Sequence, residues 1–436
     1  MKKLLRSKRR GMAIPLAVVA IMILLAMGVG LLSLGSNSRI YAIRMASDIE
    51  ARCAADSGVE MALFEMNQKL KVKPFKEGTL PEAIGVKLPY SDEVCSYRVT
   101  GNLAGGYVIQ SVGQSGNATR GVQATIGLQS AFNHAILTKE QLVLKSGTIV
   151  DGYNSADPTD TEFDVDIGSQ SNANDSVVLN LGVVVNGDVF VATGADLDDA
   201  IKGAGTVTGS KHTSAPAPLP SVVAPVLDTK PAIDAAGKTL TLRPEDSGSY
   251  PEIYLRQLVD KKTKITTPSV LEVSGGDVVL HMTGDIQLEN SCEIIVKPGS
   301  TLTIYTDGNI HSRNGSSIST ENPPEAATSI QIYTTGEDKQ FIDIKAKSEF
   351  TGVIYAPDDD VVLYAKGNAY GSIVADSFNY MAGGNFYFDE ALREDVSVDD
   401  EAVIFVVNRW YEAKLTDSDL KSIEMIEAVP MMPSGK

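Results

Sequence analysis

Cysteine, histidine and tryptophan are scarce in this chain of 436 residues, which holds three Cys, four His and one Trp. Three cysteines cannot build a disulfide framework, and one thiol stays unpaired whatever the pairing. Neither a CxxC pair nor a Cys/His spacing suited to zinc occurs. His134, His212, His281 and His311 include no two at four-residue spacing and no HExxH, so each reads as a solvated or packed residue rather than a ligand. A GxSxG elbow and a P-loop are also missing. Basic charge is short too: 38 Lys and Arg face 55 Asp and Glu, for a formal charge of −17. Such a surface is poorly suited to nucleic-acid phosphates and suits a soluble exported domain. No cofactor and no nucleic-acid partner are expected.

What the chain has is an apolar run at its start. MKKLLRSKRRG carries six Lys and Arg and no acid, and from Gly11 to Ser38 no charged residue appears. That stretch makes about 42 Å of helix against a hydrocarbon core of about 30 Å. A cleavable secretory signal would have an apolar core of only about 7 to 15 residues, so this run is expected to stay in the mature protein. The basic leader places the N-terminus in the cytoplasm and the bulk of the chain outside, as a single-pass protein of the cytoplasmic membrane. Three-to-four spacing continues through Ile40, Ile43, Ile49, Cys53, Met61 and Phe64, which predicts one helix over 12–70.

A basic leader ending in Gly11 directly before an uninterrupted apolar helix resembles the class III signal of type IV prepilins. The segment AADSGVEMALFEMN resembles the stretch after the membrane helix in PilX-like minor pilins and in the K-type minor pseudopilins of type II secretion. The resemblance covers about the first 70 residues. It implies cleavage by prepilin peptidase after Gly11, an N-methylated Met12, and a filament-core helix carrying Pro15, Leu16, Gly28 and Gly30. Pro15 would then lie in the first helical turn, where its missing N–H is not required. Major pilins of that family have Glu at the fifth mature position, and this chain has Leu16, which points to a tip or priming subunit. The implied partners are other pilin-like subunits and prepilin peptidase.

Residues 71–130 alternate in the β manner with glycine breaks, predicting antiparallel strands at about 94–99, 107–113 and 118–128 over the helix. From about His134 the texture becomes short β segments between Gly, Asn and Asp, such as NGDVFV, GDVVLHM, GNIHS, GVIYA and GSIVA. The expected fold class is α+β: a long transmembrane helix, a small antiparallel sheet, then mainly β, as a β-solenoid or alternatively a β-sandwich. Its parts are a leader (1–11), a first solenoid part (131–213), a Pro-rich crossing segment (214–268), a second solenoid part (269–392) and a C-terminal cap or tail (393–436) expected to cover the last rungs. Segments 142–155, 177–191 and 349–392 resemble the uncharacterised β-solenoid region that follows PilX-like N-termini, with rungs similar to those of bactofilins.

Cys53 on the helix and Cys95 on a strand that could pack beside it allow one bridge; the other reading buries all three thiols as small apolar groups. Acids offer the remaining chemistry. Asp160, Glu162, Asp164 and Asp166 alternate along one segment, and Asp358, Asp359 and Asp360 follow Pro357. These are weak calcium candidates, since calcium takes six to eight oxygens, but no EF-hand or nonapeptide repeat is present and solvated turns are the better reading. The functional expectation is a minor pilin-like structural subunit, not an enzyme, displaying its β region for assembly or for binding a surface glycan or protein. The alternative is an unprocessed single-pass envelope protein with a glycan- or protein-binding β-helix; a polysaccharide-active enzyme ranks below both.

Overall fold

The computed structural model describes residues 13–413 apart from 104, 158, 160–162, 164, 322–325, 347–348, 366, 382–383, 395 and 398–399. The chain divides into two compact units, Met1–Lys69 with Lys76–Gly127 and Phe405–Lys436, and Leu70–Phe75 with Leu128–Ile404.

In the first unit a single helix, Ala13–Leu70, carries the apolar run and continues well past it. Strands Glu82–Lys87, Val94–Asn102, Gly106–Ser115, Ala118–Ser130 and Val403–Ala413 form a five-stranded sheet in that spatial order. The first four pair antiparallel as consecutive neighbours. Glycine breaks at Gly101, Gly106 and Gly116 adopt φ of 115°, 79° and 55°, which lets the chain reverse between strands. The helix meets the sheet through small residues: Ala51, Ala54, Ala55, Gly58, Val59 and Ala62 are buried at three-to-four spacing. A Cβ at Gly113 would overlap Ala51 O and Ala55 N, so only glycine lets the strand come this close.

Large apolar residues of the same helix point elsewhere. Ile40, Ile43, Ile49 and Phe64 are exposed and Met61 half-buried. The periodicity is real, but a close helix–sheet contact takes the small-residue stripe instead. Cys53 is exposed on the helix while Cys95 is buried in the sheet, and both are free, as is buried Cys292. Neither the expected Cys53–Cys95 bridge nor the burial of all three thiols is found. The terminal strand also differs from expectation: Val403–Ala413 extends the small sheet rather than covering solenoid rungs. Asn67 fixes it, accepting from Phe405 N at 2.7 Å and donating to Phe405 O at 3.1 Å.

The second unit is built of parallel ladders: every pairing described in its large sheet and in the four-stranded sheet is parallel. Inward positions stack in columns. Leu280, Ile304, Ile332, Ile354, Ile373, Ile136, Ile167 and Val189 follow one another rung by rung, all essentially buried. A second column runs Ile233, Ile253, Ile286, Ile310, Ile342, Val361, Phe378, Leu142, Val177 and Ile201. The third side, Thr239–Leu242, Val270–Val273, Glu293–Val296 and Ser317–Thr320, aligns Leu240, Leu271, Ile294 and Ile318.

Spatial order is not chain order. Strand Ile136–Leu144 lies beside Ala369–Tyr380, more than 230 residues later, at a seam within the ladder. From that seam the chain coils outward through Val165–Ser169 and Gly187–Ala192 to Lys211–Ser214. It then crosses to the opposite end, where Thr229 bridges Ser249 and Ile233–Ala236 pairs with Ile253–Arg256. A second arm coils back to the seam through Asp277–Met282, Thr301–Thr306, Ile330–Thr334 and Phe350–Ala365. Strand pairing thus resumes by Ile233, well before the expected boundary at 268.

The crossing segment's length fits its path. Ser214 to Thr229 spans about ten inter-strand steps, roughly 48 Å at about 4.8 Å each. The 15 residue steps from Ser214 to Thr229, in polyproline II at about 3.1 Å each, reach about 47 Å. Pro216, Pro218, Pro220 and Pro225 hold that conformation. Gln170 Nε2 donates to Ala217 O at 2.9 Å and Tyr355 Oη to Pro220 O at 2.7 Å, pinning the strap along the way, and the strap's own Val222 is buried.

Candidate functional site

Two features could carry function, the exposed half of the helix and a cavity beside the seam. The helix is long and apolar enough to cross a membrane. Ile14, Leu16, Leu24 and Leu32 are 79 %, 73 %, 67 % and 75 % exposed, which water tolerates poorly over such a length. Pro15 sits in the first turn of the described helix, Gly28 is half-buried, and Gly30 is exposed. A Cβ at Gly28 or Gly30 would have nothing near it. Gly11 and Met12, the expected processing bond, lie outside the described residues.

Below the exposed half, polar contacts tie the helix to its sheet. Arg120 donates to both oxygens of Asp48 at 2.7 and 2.5 Å, with Glu412 at 3.5 Å. That guanidinium holds the Asp48 carboxyl below the usual carboxylate range. Tyr97 donates to Glu65 at 2.6 Å and Ser115 to Glu50 at 2.7 Å, so strands and helix are joined along their length.

The acid clusters come apart in three dimensions. Asp160, Glu162 and Asp164 lie outside the described residues, while Asp166 faces Arg393 at 3.6 Å and His134 at 3.9 Å. Asp358 is exposed and pairs with Lys139 at 2.5 Å; Asp360 pairs with Lys339 at 3.0 Å. Asp359 turns inward, accepts from Gln340 N at 2.6 Å, and has its carboxyl pushed up by burial. Alternation along the strand Phe350–Ala365 turns Asp359 inward and leaves Asp358 and Asp360 on the other side. Among the described residues, no group of three or more His, Cys, Asp and Glu is placed to hold a metal.

Sequence reasoning did not single out the residues around the seam. A cavity of about 460 Å³ is lined by Phe132, Tyr333, Val353, Asp389, Leu392 and Glu401, among others. Asp389 is buried and accepts from Ser155 N and Oγ, Ala327 N and Ala391 N at 3.0, 2.7, 3.0 and 3.3 Å. Both its oxygens are spent on fastening three chain segments together, a structural role. Glu401, raised by burial, accepts from Tyr305 Oη at 3.3 Å. Tyr305 and Tyr333 stack at 5.4 Å as neighbours on successive rungs. His134, in the turn leading to the seam strand, is lowered to about 4 by burial and by the Arg393 charge. Nothing in the spacing of Asp389 and Glu401 marks them, because their partners Ser155, Ala327 and Tyr305 lie far from them in sequence.

Residues 229–395 match the family described as a domain of unknown function (DUF7305). That match begins where the strap ends and covers the arm that coils back to the seam. A search of the curated proteins finds no match. Among solved structures, the competence-associated pilin ComZ from Thermus thermophilus is similar, at 14 % identity over 84 % of this chain and 98 % of that one, with a TM-score of 0.24. At that score the two chains do not superpose as wholes.

Proposed function

We propose that this protein is a minor pilin-like subunit of a type IV pilus or related secretion pseudopilus, held in the cytoplasmic membrane by its helix with the N-terminus inside and the bulk exported. The observation that carries this reading is the division of labour along one helix. Its first half is apolar and exposed, and its second half is covered by an antiparallel sheet through a stripe of small residues. One face of the exposed half remains available to neighbouring helices of the same kind. Gly11 is the proposed cleavage point, Met12 the N-methylated terminus, and Leu16 the substitution that sets the chain apart from bulk filament subunits.

The 128–404 unit is, in this proposal, a β-solenoid carried as a rigid body for assembly or surface binding. Parallel pairing rung after rung supports it, because a β-sandwich is made of antiparallel neighbours. The role is structural and interactive, with no reaction assigned. Mass spectrometry of the N-terminus from cells with and without prepilin peptidase tests the reading. The expected products are a methylated chain starting at Met12 and, without the peptidase, an intact leader. Retention of Met1 in cells that contain the peptidase overturns it and leaves the unprocessed single-pass envelope protein.

A further inference from the structure

Strands Leu258–Val259 and Thr266–Thr267 form a two-stranded antiparallel hairpin standing apart from the ladders. All ten residues from 258 to 267 are exposed. They include Lys261, Lys262 and Lys264, and three large aliphatics, Leu258, Val259 and Ile265, at 53 %, 51 % and 62 % exposure. The one acid in the stretch, Asp260, is engaged locally: its carboxylate accepts from Lys262 N at 2.7 Å and Thr263 N at 3.1 Å, closing the turn. No ion pair among the described residues involves the three lysines.

This composition is at odds with the rest of the unit. The chain carries net charge −17, yet the tip presents three unpaired ammonium groups within four residues. The ladder buries its aliphatics in columns, yet here side chains on both faces of a ribbon meet solvent. A lone two-stranded hairpin is marginal in water and gains nothing from wet Leu, Val and Ile. An anionic polymer would satisfy the lysines and leave the aliphatics wet. A bilayer surface satisfies both, with ammonium groups among anionic headgroups and aliphatics at the acyl boundary.

We propose that the hairpin 258–267 is an interfacial anchor that dips into an anionic lipid surface, a second membrane contact beside the N-terminal helix. The anchor works by partition and involves no covalent step. Each lysine contributes roughly a fivefold gain in partitioning at a surface rich in anionic lipid.

The test uses the full chain in nanodiscs, with Leu258→Trp in a Trp410→Phe background so that emission reports the hairpin alone. Brominated phosphatidylglycerol is placed either in the disc or in vesicles added to it, with brominated phosphatidylcholine as control. Quenching and a blue shift with the anionic lipid in either location, weakened about a hundredfold in apparent affinity by Lys261→Ser, Lys262→Ser and Lys264→Ser together, are expected. Equal emission with both lipids and no quenching overturns the proposal. A shift produced by dextran sulfate but by neither lipid also overturns it, in favour of a soluble polyanion. Because the hairpin lies outside the ladder columns, unchanged circular dichroism of the triple variant is the check that the fold is intact.

Discussion

Shortening the strap should open one end of the ladder, while lengthening it should do little. The strap's about 47 Å of polyproline II reach nearly equals the roughly 48 Å it crosses. Deleting Val223 and Ala224 leaves 13 residue steps from Ser214 to Thr229, reaching about 40 Å in the same conformation. The shortfall of about 8 Å exceeds one rung, and the fixed φ of Pro216, Pro218, Pro220 and Pro225 prevents stretching to cover it. The rung at the far end is the one with least to lose: Ala235 and Leu242 are buried there, and Ile233 and Leu240 only half-buried. Exposing two to three aliphatic side chains costs about 3–6 kcal/mol. Adding three Gly/Ser residues instead changes loop closure by only about 0.2 kcal/mol. Hydrogen exchange resolved along the chain is the assay: the deletion should strip protection from 233–242 or from 201–214 and spare the seam, and the insertion should spare both. A deletion variant with full protection at both ends would refute the taut-strap reasoning.

Other outcomes follow from the same geometry. Gly113→Val should separate helix from sheet and destabilise the first unit by about 2–4 kcal/mol, read by denaturant unfolding followed at Trp410. Maleimide should label Cys53 in the folded protein and reach Cys95 and Cys292 only on unfolding. Between about pH 6.5 and 4 the second unit should lose stability as pH falls, because His134 is lowered to about 4 and the unfolded chain takes up the proton first. His134→Gln should flatten that window in a series of thermal melts. Asp359 has the opposite sign: burial raises it, so holding it ionised costs stability at neutral pH. Asp359→Asn should raise the melting temperature near pH 7.5, with the gain shrinking toward acid pH.

Much of the architecture was legible because it is written in local patterns. The apolar run set the helix, and alternation interrupted by Gly101, Gly106 and Gly116 located three strands within a few residues. Glu82–Lys87 escaped notice because EAIGVK has little to alternate. Val403–Ala413 reads as a strand in isolation, but a pattern of apolar residues does not name the neighbour it pairs with. The same limit hid the seam: Ile136 and Ile373 stack on each other, yet each would fit any rung whose inward residue is Ile, Leu or Val. Boundary placement failed at 233–267 since IDAA, TLTL and GSY are too short and too polar to stand out beside prolines. Asp389, Arg393 and Glu401 were invisible for a different reason: the groups they bind, Ser155 and Ala327, Asp166, and Tyr305, lie on segments far from them in sequence.

Because the chain both enters and leaves the ladder near its middle, the strap is the segment that joins the ladder's two ends. The ladder can therefore be extended at either free end without disturbing the attachment point, provided the strap grows in step. Each added rung lengthens the crossing by about 4.8 Å, which a polyproline II strap covers with about one and a half residues. Related chains with longer or shorter ladders should carry proline-rich straps that scale at that ratio, so strap length becomes a ruler for rung number.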